Sequence, residues 1–443
     1  MAEIFDHLLG ADALRPIFTD RARLQAMLDV EAALAAALGK IGAIPKSAIR
    51  PITAQCRAER LDLVALAQAA AKAGNLAIPL VRQLTLLVRG ASSSAARYVH
   101  WGATSQDIID TGLVLQLRLA IALIEADLVR LDKALAVLAR KHKDTVMVGR
   151  TWLQQALPIT FGLKAAGWLD ALRRHRERLA ELKPRLLVVQ FGGAAGTLAS
   201  LGDKGLAAAQ ALAAELGLGL PPMPWHAQRD RIVEFAAWLG SLAGSLGKLA
   251  RDIALMMQSE VGEVFEGAGE GKGGSSTMPH KRNPVSCAAI LANATRAPGL
   301  VATVMAAQAQ EHERGLGGWQ AEWLAIPELT LLAGGALSLS VNLIAGLEID
   351  VARMRANLEL TNGLIMAEAL SMALARKLGK EEAHRLVEAA SKRAIREKRH
   401  LRDIAAADPA MVAQLKPAEL ARLFEPERYT GQSRAFVARL LGR

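Results

Sequence analysis

The chain is poor in cysteine and in aromatic residues. Only Cys56 and Cys287 occur among its 443 residues, which excludes a disulfide-stapled scaffold and fits a reducing cytoplasm. Aromatic residues make up 4% against 52% hydrophobic residues overall. The apolar content is therefore mostly Ala and Leu, residues that favour helix over sheet. Few aromatics also leave little for base stacking, and the Lys and Arg residues are scattered rather than clustered. The net charge of +11 thus points to a small polyanionic substrate and not to nucleic acid. The start, Met1-Ala2-Glu3-Ile4-Phe5-Asp6, lacks the basic residues and apolar run of a signal peptide.

Convincing strand alternation is nearly absent too, and sustained helical spacing stands in its place. Leu117, Ile121, Ile124, Leu128, Leu131, Leu135 and Leu138 alternate steps of four and three, as do Ile232, Phe235, Leu239, Leu242, Leu246, Leu249, Ile253 and Met256. That spacing places one apolar seam on each of two long helices and implies bundle-like packing. Further helical stretches are expected over 158–183, 285–310 and 327–347. The fold class is all-α. The expected division is an N-terminal domain of shorter helices over 1–110, a long-helix bundle over 111–360 and a smaller C-terminal helical domain over 361–443. Leu329 to Leu347 carries no charge and is long enough to span a bilayer. It includes Gly334, Gly335, Ser338, Ser340 and Asn342 and lacks an aromatic belt, so it reads as a buried bundle helix. No membrane association is expected.

Three polar segments interrupt this apolar pattern. The most informative is Gly274-Ser275-Ser276-Thr277-Met278-Pro279-His280-Lys281-Arg282-Asn283-Pro284, which follows a glycine-rich run from Glu266 to Gly273. Glycine at that density opposes a helix or packed strand, and a loop with concentrated polar chemistry is where catalysis tends to sit. A second segment runs from His100 to Thr111, just before the first long helix. Asp110 or Thr111 is its candidate N-cap, and its hydroxyls beside a helix N-terminus could cradle carboxylates. The third is Gly149-Arg150-Thr151-Trp152-Leu153-Gln154-Gln155-Ala156-Leu157-Pro158.

Together these segments resemble the three signature segments of the fumarase/aspartase superfamily. That resemblance implies three helical domains whose long central helices merge in a homotetramer, with each active site assembled from different subunits. No cofactor and no metal is implied. The catalytic residues carried over are Ser275, Ser276 and Lys281. The substrate-binding residues carried over are His100, Thr104, Ser105, Arg150, Thr151, Trp152, Gln154, His280, Asn283, His312 and Arg314.

One departure is informative. Lyases of the superfamily usually carry histidine where this chain has Trp152. Superfamily reactions remove a proton α to a carboxylate and expel a group from the neighbouring carbon. Hydroxide and amine leaving groups benefit from a general acid, a role suited to histidine. A carboxylate leaving group needs no such acid, because its conjugate acid has a pKa of roughly 4. The substitution, with the Thr-Trp-Leu-Gln-Gln-Ala wording and Gly315-Leu316-Gly317-Gly318-Trp319, is similar to the bacterial 3-carboxy-cis,cis-muconate cycloisomerases. Their substrate is a small tricarboxylate and their reaction closes a lactone. An adenylosuccinate lyase or related fumarate-releasing lyase is the alternative, with His100 supplying the acid.

Other motifs fail. His312-Glu313 opens no zincin motif, because Leu316 stands where a second histidine is needed. Gly271-Lys272 is followed by Gly273, so no phosphate-binding loop is present. The Gly192-Gly193-Ala194-Ala195-Gly196 cluster lacks a βαβ setting and reads as close packing or a loop near the site.

Overall fold

Ala- and Leu-rich stretches with heptad-like seams form the long helices expected of them. In the computed structural model, which describes residues 7–267, 278 and 281–442, the first seam lies on the helix Ser105–Lys141 and the second on Asp230–Met256. Every seam residue named above is buried. Further long helices among the described residues are Asp20–Lys40, Phe161–Leu186, Val285–Ala306 and Gly318–Ala345. The chain is all-α in class, with two short two-stranded sheets among the described residues.

The chain divides into two compact units. The first comprises 1–129, 174–247 and 289–339. Its core includes the helix Asp20–Lys40, which turns Leu24, Met27, Leu28, Leu34 and Leu38 inward and packs against the helices Lys46–Thr53 and Gly205–Leu216. The second comprises 130–173, 248–288 and 340–443. Its C-terminal helices Ala367–Leu378 and Lys380–Glu397 enclose Leu370, Leu374, Leu386 and Val387.

Two helices, Val285–Ala306 and Gly318–Ala345, are long and apolar enough to cross a membrane. The second is mostly buried within the protein, and its sequence explains why. A Cβ on Gly334 would lie 2.1 Å from Leu14, and one on Gly335 would lie 2.3 Å from the carbonyl of Leu9. These glycines admit a neighbouring segment of chain. Thr330 satisfies its own hydroxyl on the carbonyl of Ile326 at 2.8 Å.

Two expectations need correction. The stretch 146–160 is an antiparallel hairpin, with strands Val146–Thr151 and Gln154–Thr160, so the helix expected from 158 begins at Phe161. The first strand is buried on both faces over Val146–Gly149, and strands of that kind show no alternation. The first long helix begins at Ser105, which places Asp110 and Thr111 inside it rather than at its cap. Its start is set by Asp107, whose carboxylate accepts the Thr104 N–H at 3.0 Å, the reciprocal half of a capping box.

Candidate active site

In the first unit the site is organised by carboxylates at the start of the helix Ser105–Lys141. Asp107 is wholly buried and accepts hydrogen bonds from the N–H groups of Gly192 and Gly193 at 2.9 Å each. It also accepts from the Gln190 side chain at 3.2 Å, and Nε2 of His226 lies 2.8 Å away. With the Thr104 N–H, five donors converge on one carboxylate. This ties the 190–193 segment to the turn that carries Thr104 and Ser105. A Cβ on Gly193, whose φ is +68°, would lie 3.2 Å from the carbonyl of Gly102, so close backbone approach explains the glycine pair. Thr111 continues the junction, since its hydroxyl donates to the Gln190 carbonyl and accepts the Gln190 N–H, both at 2.9 Å.

One turn further, Asp110 meets the fully buried Arg229 at 2.7 Å, and Arg229 also holds Glu322 at 2.5 Å. Burial opposes the charge on this guanidinium, but the two carboxylates outweigh it and raise its pKa above the ordinary arginine value. The Trp319 indole N–H donates to Asp110 at 2.9 Å. Arg314 comes from the turn that carries His312, and it donates to the carbonyl of Ala194 at 2.8 Å. His312 is exposed and in the left-handed region, with φ of 48°.

His100 also sits in the left-handed region, with φ of 59°. Its Nδ1 lies 2.5 Å from Oε1 of Glu31, a residue 1% exposed. Burial pulls the imidazole pKa down, but the charge and hydrogen bond of Glu31, with Asp107, outweigh it and raise it above the ordinary value. Glu31 was not singled out in the sequence, and Asp107 stood there only as one position of the segment from His100 to Thr111, with no role of its own. The Thr104-to-Asp107 spacing of a capping box was the one signal available for the second.

In the second unit the hairpin is anchored by Glu263. Arg150 donates to both its oxygens at 2.9 and 2.7 Å, and the Asn357 amide adds a bond at 2.9 Å. Both terminal nitrogens of Arg150 are thus committed to Glu263. Beyond Arg150 the tip projects outward: Thr151 and Gln154 are exposed, and Trp152 and Leu153 are 98% and 74% exposed with φ of 51° and 64°. Left-handed backbone at two adjacent non-glycine residues is unfavourable and is often found at functional sites.

Ser275, Ser276 and His280 lie outside the described residues. Of that segment, Lys281 is exposed and Asn283 half-buried, and the helix Val285–Ala306 follows Pro284. Glu266 caps that helix by accepting the N–H groups of Ser286 and Cys287 at 3.0 and 2.9 Å. Arg282 donates to the Glu266 carbonyl at 2.6 Å and to Glu348 at 2.9 Å, which holds the residues on either side of the signature run together.

This architecture and these segments define a class of enzyme: the chain belongs to the fumarase/aspartase superfamily of lyases. A family model described as Lyase matches residues 9–299, and one described as Adenylosuccinate lyase C-terminus matches residues 363–440. Among its relatives is the 3-carboxy-cis,cis-muconate cycloisomerase of Pseudomonas aeruginosa, 58% identical over 439 residues, which are 99% of this chain and 96% of that one. The protein of the same name from Bradyrhizobium diazoefficiens is 57% identical over 98% of this chain and 96% of its own length. The crystal structure of 3-carboxy-cis,cis-muconate lactonizing enzyme from Pseudomonas putida superposes with a TM-score of 0.94 at 55% identity, covering 99% of this chain and 98% of that one.

Replacing Asp107 with Ala leaves buried N–H donors without an acceptor. It should lower the unfolding free energy by about 3–5 kcal/mol, read by urea denaturation. The ion pair of His100 carries a pH signature. Because the folded pKa is raised, its stabilisation is fully present below the unfolded histidine value, about 6.5, and is lost as pH rises through the folded value. The destabilisation caused by His100→Asn should therefore be larger at pH 6 than at pH 9 in the same denaturation experiment.

Proposed function

We propose that this protein is a cycloisomerase that interconverts 3-carboxy-cis,cis-muconate and its carboxymuconolactone. The single observation that carries the reading is Trp152 at the hairpin tip, where lyases of the superfamily carry histidine. Identity above half to cycloisomerases over nearly the whole chain supports it. In the forward direction a carboxylate of the substrate adds across a double bond, forming the ring C–O bond. A proton is delivered to the neighbouring carbon, which is α to another carboxylate. In reverse that proton is removed and the carboxylate leaves without an acid, so an imidazole at position 152 would have nothing to do.

Ser275 handles the proton, as base in the ring-opening direction, with Ser276 its adjacent hydroxyl. An unperturbed serine is far too weak a base at neutral pH, so the loop must activate it. Lys281 and Asn283 take the charge that develops on the aci-carboxylate, an oxyanion-type role. Thr104, Ser105, Thr151 and Gln154 position substrate carboxylates, and Arg314 and His312 stand on the turn beside the 192–196 loop. Arg150, held by Glu263, sets the hairpin that presents Trp152. His280 is a further anion contact.

We also assign a homotetramer in which each site takes one signature segment from each of three subunits. The exposure of Trp152, Leu153, Leu316 and Leu324 in the single chain supports it, since large apolar side chains grouped at polar segments mark surfaces that are covered on assembly. A cytoplasmic location, no nucleic acid and no membrane partner complete the reading.

The test is ultraviolet absorbance after mixing the protein with 3-carboxy-cis,cis-muconate, with adenylosuccinate in a parallel cuvette. The conjugated diene should bleach without fumarate release, while adenylosuccinate stays unchanged. Consumption of adenylosuccinate beside an inert muconate would overturn the reading in favour of a lyase. Ser275→Ala should reduce turnover by about a thousandfold or more while leaving the sedimentation coefficient unchanged; near-normal turnover would remove Ser275 from the mechanism.

A further inference from the structure

The buried pair of Glu31 and His100 exceeds what packing requires. Glu31 stands among Met27, Leu28, Val30, Leu34 and Ala35, all buried, on the helix Asp20–Lys40. A carboxylate in such surroundings is strongly unfavourable unless it is paired. Its one hydrogen-bond partner is Nδ1 of His100 at 2.5 Å, while its Oε2 is buried with none among the described residues. A neutral imidazole would compensate that charge poorly. A protonated one would compensate it well, and the carboxylate of Asp107 adds to the same pull.

The other side of the imidazole is what suggests function. The His100 side chain keeps 19% of its surface, and Nε2 has no hydrogen-bond partner among the described residues. That nitrogen is not sealed in the core with Nδ1 but reaches the surface, where a ligand can meet it. Here the backbone at His100 takes the unfavourable left-handed conformation, and four residues later the same turn presents Thr104 and Ser105. Charge buried on one side and a free N–H donor on the other make an anion contact.

We infer that Glu31 is a positioning residue, which holds His100 as an imidazolium whose Nε2–H binds a carboxylate of the substrate beside Thr104 and Ser105. The inference rests on the tricarboxylate reading above and deepens it. In this role His100 neither takes nor gives a proton during turnover. It supplies a fixed positive charge at a pH where a free histidine would be mostly neutral, and Glu31 is the reason it can.

The test is Glu31→Gln, which keeps an acceptor for Nδ1–H and removes the charge. At pH 8 the KM for 3-carboxy-cis,cis-muconate should rise about tenfold, the scale of one charge-assisted hydrogen bond, with kcat changed less than KM. At pH 6 the penalty should shrink, because the lower pH and the remaining charge of Asp107 both favour the imidazolium. Glu31→Asp, which keeps the charge, should recover part of the loss. A KM equal to that of the unsubstituted protein at both pH values, or a loss that does not vary with pH, would overturn the inference.

A second readout separates this from failure of the cycloisomerase reading or of the variant to fold. In the unsubstituted protein labelled with ¹³C-histidine, with His100→Asn to assign the signal, His100 should titrate above about 6.5. Its signal should shift further when propane-1,2,3-tricarboxylate is added. Titration at or below the ordinary value, or no response to the tricarboxylate, would also overturn the inference, whatever the enzyme turns over.

Discussion

The first unit depends on one buried carboxylate, Asp107, whose acceptor sites are filled by protein donors instead of water. Asp107 sits in the first turn of the helix Ser105–Lys141, where a negative charge is favoured by the helix dipole. From there it fixes the 190–193 segment through Gly192 and Gly193 and fixes the preceding turn through Thr104. Without it, two stretches of irregular backbone would have to bury N–H groups with nothing to receive them. Asp110, three residues on and so on the same face, repeats the device with Arg229 and Glu322. Such networks specify an arrangement more than they stabilise it, and specified arrangement is what a polar cradle needs.

The second unit reaches the same end with Glu263. Its carboxylate is buried, and Arg150 and Asn357 close around it, so the hairpin is pinned at its root while Trp152 and Leu153 at its tip are exposed. The tip carries Trp152, the residue from which the proposed reaction is read. A histidine there would suit the expulsion of hydroxide or nitrogen. In the proposed reaction the departing group is already an anion, so a tryptophan in that place removes no acid the reaction needs.

Much of this was legible in the sequence. The helical seams were readable because each is a local, repeated pattern, and every residue in them proved buried. The segments around Thr104, Trp152 and Lys281 were readable because polar residues crowd where apolar spacing lapses. The hairpin was not, for two reasons: Val146–Gly149 is buried on both faces and does not alternate, and its turn uses Trp152 and Leu153 rather than Gly or Asn. The helix start at Ser105 was misplaced because Asp110 resembles a cap, although it is spent on Arg229. Glu31 was invisible for a different reason. Its partner lies 69 residues away, and nothing in an Ala- and Leu-rich helix marks one glutamate as buried. The roles of charged residues in this protein are set by what faces them, and that is tertiary information.

In the proposed reaction the substrate's own carboxylate closes a ring while a solvent-derived proton reaches the carbon beside it. Proton NMR of the product formed from 3-carboxy-cis,cis-muconate in deuterium oxide tests this most directly. The account predicts a lactone carrying a single deuterium on the carbon α to a carboxylate, with no fumarate in the mixture. A lactone without deuterium, or fumarate as a product, would contradict it.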